Sequence, residues 1–536
     1  MSKRTLTRRK FLATAVTAAA GATLAACAPQ TLAPTAAPPT SAPPVPTQAP
    51  PPPTVAQALK TLRYAMSGKI TSADTADPAF NNTSHDGRLI SAVYEQLARY
   101  DESLKATPWL AESWEPNDKG DVWTFKLRQG VTWHDGTKFT SKDVLYSFRR
   151  LLDPATKSPG AGPLSFIDLN GIEAMDDYTV RFKLPTPNVD VPLSMIVRQA
   201  YIVKDGSTAA DLKTKANGTG AYMLKQFVPG EDPTIFVKNP NYWQPGLPKL
   251  DVLELTSIPE APSRVAALQR GQIDIIEDPP FTELDKLKGG ADTTIVVQPK
   301  GNMDLIAMQI DVPPFDDLRV RQAIKYAMDR DAVLKLVAQG YGTPVNDIPI
   351  ASTLEYGLQG PPLAHDVEKA KALLKEAGYS NGLDIKLAVS DVQARFVEFA
   401  TVFKEQVAEA GIRVELDIRP ADTYWDVVWL KAPMFVSAYI ARATDAMLAP
   451  LYLSKADWNE THWKDPAWDK MLTDARATLD YDKRKALYQQ LQQQIVDDGG
   501  HIVPYMVQTI DATRKNVTCW LPSGTPYANF TNLDIG

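Results

Sequence analysis

The sequence predicts an α/β fold, and three stretches carry that prediction. In each, apolar residues at helical spacing give way, through a glycine, to a strand-like run. "VEKAKALLKEAGYSNGLDIKLAV" (367–389) sets Ala370, Leu373, Leu374 and Ala377 on one helical face, with Gly378 as its C-terminal cap. "FVEFATVFKEQVAEAGIRVELDIRP" (396–420) repeats the plan, and after Gly411 it alternates Ile412, Val414, Leu416 and Ile418 as a strand. "APSRVAALQRGQIDII" (261–276) follows it a third time. Open sheets covered by helices are the expected architecture, and no repeat of solenoid period is present.

Residues 1–27 read as an address. "TRRKFL" (7–12) places a twin arginine before an apolar stretch, 11–26, too short to span a membrane comfortably. It closes on "LAAC" (24–27), which resembles a twin-arginine export signal ending in a lipobox with Cys27 as the lipidated residue. Residues 28–58 are proline-dominated and carry no charged residue, so an extended, disordered tether is expected there. No later stretch reaches the ~18 consecutive apolar residues of a membrane span.

The ordered body begins with a short strand at "LRYAM" (62–66). "DGRLISAVYEQLARYD" (86–101) has Leu89, Val93 and Leu97 at helical spacing. "DVWTFKLRQGVTW" (121–133) alternates as a half-exposed strand, and "HDG" (134–136) follows as a turn rather than as a metal site built on His134. "TSKDVLYSFRRLLDP" (140–154) is a capped helix that stops near Pro154.

At 536 residues, with 44% hydrophobic and 22% charged, the chain can build two or three cored lobes. A net charge of −6, becoming −11 without the five cations of the leader, argues against nucleic acid. Beyond Cys27 only Cys519 remains, so no internal disulfide is expected; beside Trp520 it reads as a small buried apolar residue. There is no nucleophile elbow, zinc helix, C-x-x-C, phosphate loop or dinucleotide fingerprint, and the five histidines lack ligand spacing. Neither metal nor cofactor is expected. The chain reads as a binding protein rather than an enzyme; a glycoside hydrolase with paired carboxylates is the catalytic alternative.

Several blocks then resemble one family. "PWLAESWEPNDKGDVWTFKLRQGVTWHDGTKFTSKDVLYSFRRLLDP" (108–154), "NGTGAYML" (217–224), "KNPNYW" (238–243), "RVAALQRGQIDII" (264–276) and "RVRQAIKYAMDRDAVL" (319–334) occur in the family's order. Together they are similar to the family 5 extracellular solute-binding proteins, the peptide and nickel receptors of ABC importers. The resemblance implies a two-lobed type II, cluster C periplasmic-binding-protein fold with an extra inserted domain. It divides the body into a first domain (59–80, 200–295 and 505–536), an inserted domain (81–199) and an opposing lobe (296–504). It also implies a monomer on the outer face of the cytoplasmic membrane, closing on a small organic ligand for ABC permease subunits; a sensory protein of the same fold is the alternative.

Peptide-binding relatives carry a "GWxADYPDP"-like stretch whose first aspartate holds the ligand's amino terminus. The matching residues here are "AYIARATDA" (438–446), with Arg442 in that aspartate's place and Asp445 at the second. Guanidinium prefers carboxylate or phosphate, so an acidic ligand group is expected, with Asp445 holding the arginine. Asp74, Asp77 or Asp445 as an internal partner of Arg442 is the structural alternative. The resemblance adds Tyr439, Ile440, Ala441, Ser84 and His85 as ligand contacts. Five of eleven tryptophans crowd residues 425–468; Trp425 is the best cleft candidate and Trp458 the next, while the others read as packing.

If Cys27 carries lipid, Cys27→Ser releases the protein from the membrane fraction with its melting temperature unchanged. Fractionation followed by thermal melting checks it; retention in high salt would identify another anchor.

Overall fold

The computed structural model describes residues 58–101, 104–298, 302–393, 395–522 and 528–536. The twin arginine, Cys27 and the proline-rich segment up to residue 57 lie outside the described residues. Three sheets organise the rest.

In the seven-stranded sheet the middle strand, Thr61–Met66, pairs in parallel with Val252–Ser257 and with Ile275–Glu277. Antiparallel strands extend both sides: Thr234–Lys238 and Tyr222–Gln226 on one, Thr509–Arg514 and Thr293–Gln298 on the other. The middle strand is buried on both faces, hence its apolar Leu62, Tyr64, Ala65 and Met66. The four-stranded sheet spans residues 111–183 and packs under the helix Ser141–Leu152. Thr140 and Asp143 close that helix's capping box, and Val144, Phe148 and Leu151 bury its inner face. The five-stranded sheet runs Ile412–Ile418, Leu383–Val389, Met434–Ile440, Asn302–Met308, His501–Ile502. Phe399, Phe403 and Val407 of the helix Phe396–Ala408 bury one side of it.

Three expectations need correction. The helix predicted over 86–101 ends at Val93, because its last carbonyl accepts from Gly220 N (2.8 Å) and the chain turns to bury Glu95. Ile418 is 63% exposed, since the inward alternation of its edge strand fades after Val414. Cys519 is exposed at a left-handed turn (φ 61°), while Trp520 takes the buried place against Tyr64 and Phe530.

The chain passes between the seven- and five-stranded sheets twice, between Gln298 and Asn302 and again between Ile502 and Thr509, by way of the short strand Tyr505–Val507 that pairs with Gly342–Pro344. Gln298 pairs with Thr509, so the two crossings leave the first sheet side by side. Asn302 pairs with Ile440, which brings the carboxyl end of the strand Met434–Ile440 to the crossing.

Glu95 ties the four-stranded unit to the seven-stranded one. Its carboxyl is buried and accepts from Trp109 Nε1, Tyr242 Oη and Thr219 Oγ1 at 2.8 Å and from Trp243 Nε1 at 3.1 Å. Three of the family-like blocks (108–154, 217–224 and 238–243) thus serve one carboxyl group. The loop that delivers Thr219 needs its glycines: a Cβ on Gly218 would stand 1.8 Å from the carbonyl oxygen of Val93. His134 fastens the same loop, accepting from Gly218 N at Nδ1 (3.2 Å) and donating from Nε2 to Gly220 O (3.0 Å). It is a structural histidine.

Burial pushes the Glu95 carboxyl from 4.5 up to about 7, against the pull of its four donors. Folding therefore favours the protonated form, and this contribution, on the order of 3 kcal/mol, is complete below pH 4.5 and lost as pH rises through 7. Glu95→Gln reproduces the neutral acid. Urea unfolding from pH 5 to 8 is expected to show a shallower decline for the variant than for the parent protein.

Candidate functional site

Open α/β sheets bind ligands at the carboxyl ends of their parallel strands, and both larger sheets present those ends beside the crossings. On the first sheet, Glu277 accepts from Tyr64 Oη (2.8 Å), Arg88 Nε (2.9 Å) and Ser67 N (3.2 Å). Ser67 Oγ also reaches Asp278 (3.2 Å). Phe281, three residues on, stacks on Tyr341 of the other side at 5.8 Å and 2°. The Arg395 guanidinium lies 5.9 Å from the Phe281 ring and is held by Asp304 at 2.9 Å. Burial and the neighbouring Glu277 raise the Asp278 carboxyl; Arg395 and Arg264 pull it back. None of Phe281, Asp278 and Arg395 was singled out from the sequence, because their meeting joins segments more than 100 residues apart.

On the five-stranded side the strand Met434–Ile440 delivers Tyr439, Ile440, Ala441 and Arg442 in succession. The Tyr439 ring is stacked on Trp458 (6.5 Å, 23°), and the half-buried Arg442 guanidinium lies 4.8 Å from the centre of the same indole. Glu460 holds this platform from below. Its Oε2 accepts from Tyr439 Oη (3.0 Å) and Trp429 Nε1 (2.9 Å), and its Oε1 lies 2.9 Å from His501 Nε2. Glu460 and His501 are fully buried, and neither was marked by any motif. Across from the platform stands Tyr100, whose hydroxyl is pushed up to about 12 by burial while the charge of Arg442 pulls the other way. Arg442 is thus near the two-stranded ribbon formed by Ala98–Tyr100 and Ala106–Pro108.

The acids considered as partners of Arg442 are committed elsewhere. Asp445 accepts from Arg476 Nε (2.8 Å), Arg476 Nη2 (2.9 Å) and Tyr488 Oη (3.0 Å). Its expected part in holding Arg442 is therefore corrected: Arg476 occupies both oxygens in a bidentate pair. Asp77 carries Arg150, and Asp74 accepts from Thr71 and lies 3.1 Å from His85 Nδ1. His85 itself is 2% exposed, with Nε2 2.9 Å from Thr234 Oγ1. Asp74, His85 and Asp86 bring ligand-type atoms within 4.8 Å of one another, but Asp86 also closes the capping box with Thr83. Ser84 is exposed in the first turn of that helix. Trp425 is 37% exposed on the helix Tyr424–Val427, edge-on to Phe396. Trp463 and Trp468 are core residues.

The family model for bacterial extracellular solute-binding proteins, family 5, matches residues 105–460. The chain belongs to this family. The glutathione-binding protein GsiB of Pectobacterium atrosepticum is 28% identical over 499 residues, covering 89% of this chain and 95% of that one. Among solved structures, AgaA of A. tumefaciens R10 in complex with agropinic acid is 27% identical, with a TM-score of 0.74 over 89% of this chain and 99% of the other. DppA of Helicobacter pylori in complex with the peptide STSA, 24% identical with a TM-score of 0.75 over 89% and 98%, shares the fold. The two-lobed type II fold is that of this family 5 protein. It is an extracellular solute-binding protein of the kind that serves ABC importers, and the relatives named are binding proteins rather than enzymes. Among the described residues no helix is long and apolar enough to cross a membrane.

Removing Asp445 strips the counter-ion from Arg476, whose side chain is 25% exposed. Asp445→Ala is expected to cost about 3 kcal/mol, the lower end of the range for a broken buried pair, because Arg476 keeps some water. Urea denaturation at neutral pH measures it.

Proposed function

We propose that this protein is the lipid-anchored receptor of an ABC importer, and that it captures a small organic solute carrying an acidic group in the cleft between its lobes. The observation that carries the reading is Arg442 at the carboxyl end of its strand, beside a chain crossing, on the Tyr439–Trp458 platform. A guanidinium so placed offers a planar fork to carboxylate or phosphate, and the indole face walls the ligand from water. Two relatives support an acid-bearing solute: one is a glutathione-binding protein and one was solved with agropinic acid.

The three-part division read from the sequence (59–80 with 200–295 and 505–536; 81–199; 296–504) is part of the proposal. So is closure about the two adjacent crossings, since two short links side by side concentrate rotation at few residues. Trp425, Ser84, Ile440 and Ala441 stand as further contacts. Cys27 is the proposed anchor, the segment 28–58 the tether, the permease subunits the partner, and the monomer the working state.

Native mass spectrometry of the purified protein identifies any retained solute, which is expected to bear a carboxylate or phosphate. Titration calorimetry with that solute, or with glutathione and agropinic acid, then compares variants. Arg442→Ala is expected to weaken binding by about 2–5 kcal/mol with little change in melting temperature. Arg442→Lys recovers part of the loss, because ammonium lacks the fork. Unchanged affinity with a markedly lower melting temperature would make Arg442 an internal salt-bridge residue.

A further inference from the structure

Residues 71–86 carry the chain from the middle strand Thr61–Met66 of the first sheet into the helix Ser84–Val93. Asp74, His85 and Asp86 of this segment are buried together, at 0%, 2% and 2% exposure. Each offers one ligand-type atom, and the three atoms lie within 4.8 Å of one another. Among the described residues no lysine or arginine pairs with either carboxylate; the one ionic contact runs from His85 Nδ1 to Asp74 Oδ2, at 3.1 Å. Two carboxylates taken out of water need a positive charge beside them.

The direction of the His85 contact decides more than its length. At 3.1 Å the oxygen is near enough to accept, yet Nδ1 finds no hydrogen-bond partner among the described residues. Asp74 therefore lies off the axis of that nitrogen. Nε2, 2.9 Å from Thr234 Oγ1, holds the ring in place. Two ligands of one ion stand in this way, each aimed at the ion and not at the other. In a tetrahedral zinc site with bonds of about 2.0–2.1 Å, neighbouring ligand atoms are about 3.3 Å apart. A ligating imidazole is ordinarily held at its other nitrogen, as Thr234 holds this one. The carboxylates have room for an ion: Asp74 Oδ2 accepts from Thr71 N (3.0 Å) and Asp86 Oδ1 from Thr75 N (2.8 Å), and each oxygen has a second lone pair.

We infer that Asp74, His85 and Asp86 bind a divalent cation of the Zn²⁺ type. One imidazole nitrogen with two carboxylate oxygens suits such an ion better than Ca²⁺, which takes about six to eight oxygens. Its two positive charges balance the two carboxylates. The ion ties Asp74, in the segment leaving the first sheet, to the first turn of the helix Ser84–Val93, and through Thr234 to the strand Thr234–Lys238. Its role is structural, a clamp at the point where the chain enters the proposed inserted domain. The inference stands apart from the Arg442 reading.

Zinc chloride, added to the full chain after stripping with EDTA, tests the assignment. One equivalent of zinc is expected to survive desalting, read by plasma mass spectrometry, and to raise the melting temperature by about 2–5 °C. Calcium chloride gives no such rise. Asp74→Asn and His85→Gln keep size and hydrogen-bonding capacity, and each abolishes both the retained zinc and the rise. X-ray absorption of the zinc-loaded parent protein needs no variant, and so decides alone should a variant not fold; it is expected to show one imidazole and otherwise oxygen neighbours. His462→Ala, which breaks the partly exposed His462–Asp311 contact (2.6 Å), keeps the zinc. Zinc lost on desalting, a rise shared by calcium, a sulfur neighbour, or zinc that survives both cluster variants and leaves with His462→Ala would overturn the assignment.

Discussion

Everything at the cleft depends on two backbone crossings lying side by side. Gln298 leaves the seven-stranded sheet paired with Thr509, and Asn302 enters the five-stranded sheet paired with Ile440. These registers fix which side chains can face each other. They bring Arg442 to the edge of the crossing on one sheet and Ser67 and Asp278 to the corresponding edge on the other. Phe281 against Tyr341 and Arg395 then fills the space between them with aromatic and cationic faces instead of a continuous apolar core. Such a contact is small beside the core each lobe already owns.

Buried carboxylates do most of the joining, and their partners tell their roles apart. Glu95 is held by neutral N–H and O–H donors from two units, which orients it without importing a cation. Glu460 works the same way beneath the Tyr439–Trp458 platform, fixing two ring hydrogen-bond donors at once. Asp445 is instead paired bidentately with Arg476, a bond that locks a helix turn and holds nothing in reserve.

The parts of this structure that follow a local period were legible in the sequence. The helix Ser141–Leu152 has its capping box and its i, i+4, i+7 apolar face in one short stretch, and the helix–glycine–strand unit around Gly378 declares itself the same way. The aromatic density that becomes the Trp458 platform was legible too. Where long-range hydrogen bonding overrides local spacing the reading failed: Leu97 is helically spaced from Val93, but Glu95 draws the chain out of the helix. Asp445 was misread because proximity in sequence to Arg442 stands in for proximity in space only within one regular element. Between them the strand ends and a helix begins, and the carboxylate turns to a residue 31 positions on. Glu460 and Phe281 carry no local signal at all; only the topology assembles their surroundings.

The position of Arg442 also makes sense of its charge. It lies two residues before the helix Thr444–Tyr452, whose N-terminal dipole is positive. A cation there is disfavoured by the helix and gains from the Trp458 face only about 1–2 kcal/mol. The acid that would ordinarily complement such a helix start is present as Asp445, but Arg476 has neutralised it. Helix end and guanidinium are thus of the same sign. An aspartate in place of Arg442 would reverse the larger of the two contributions.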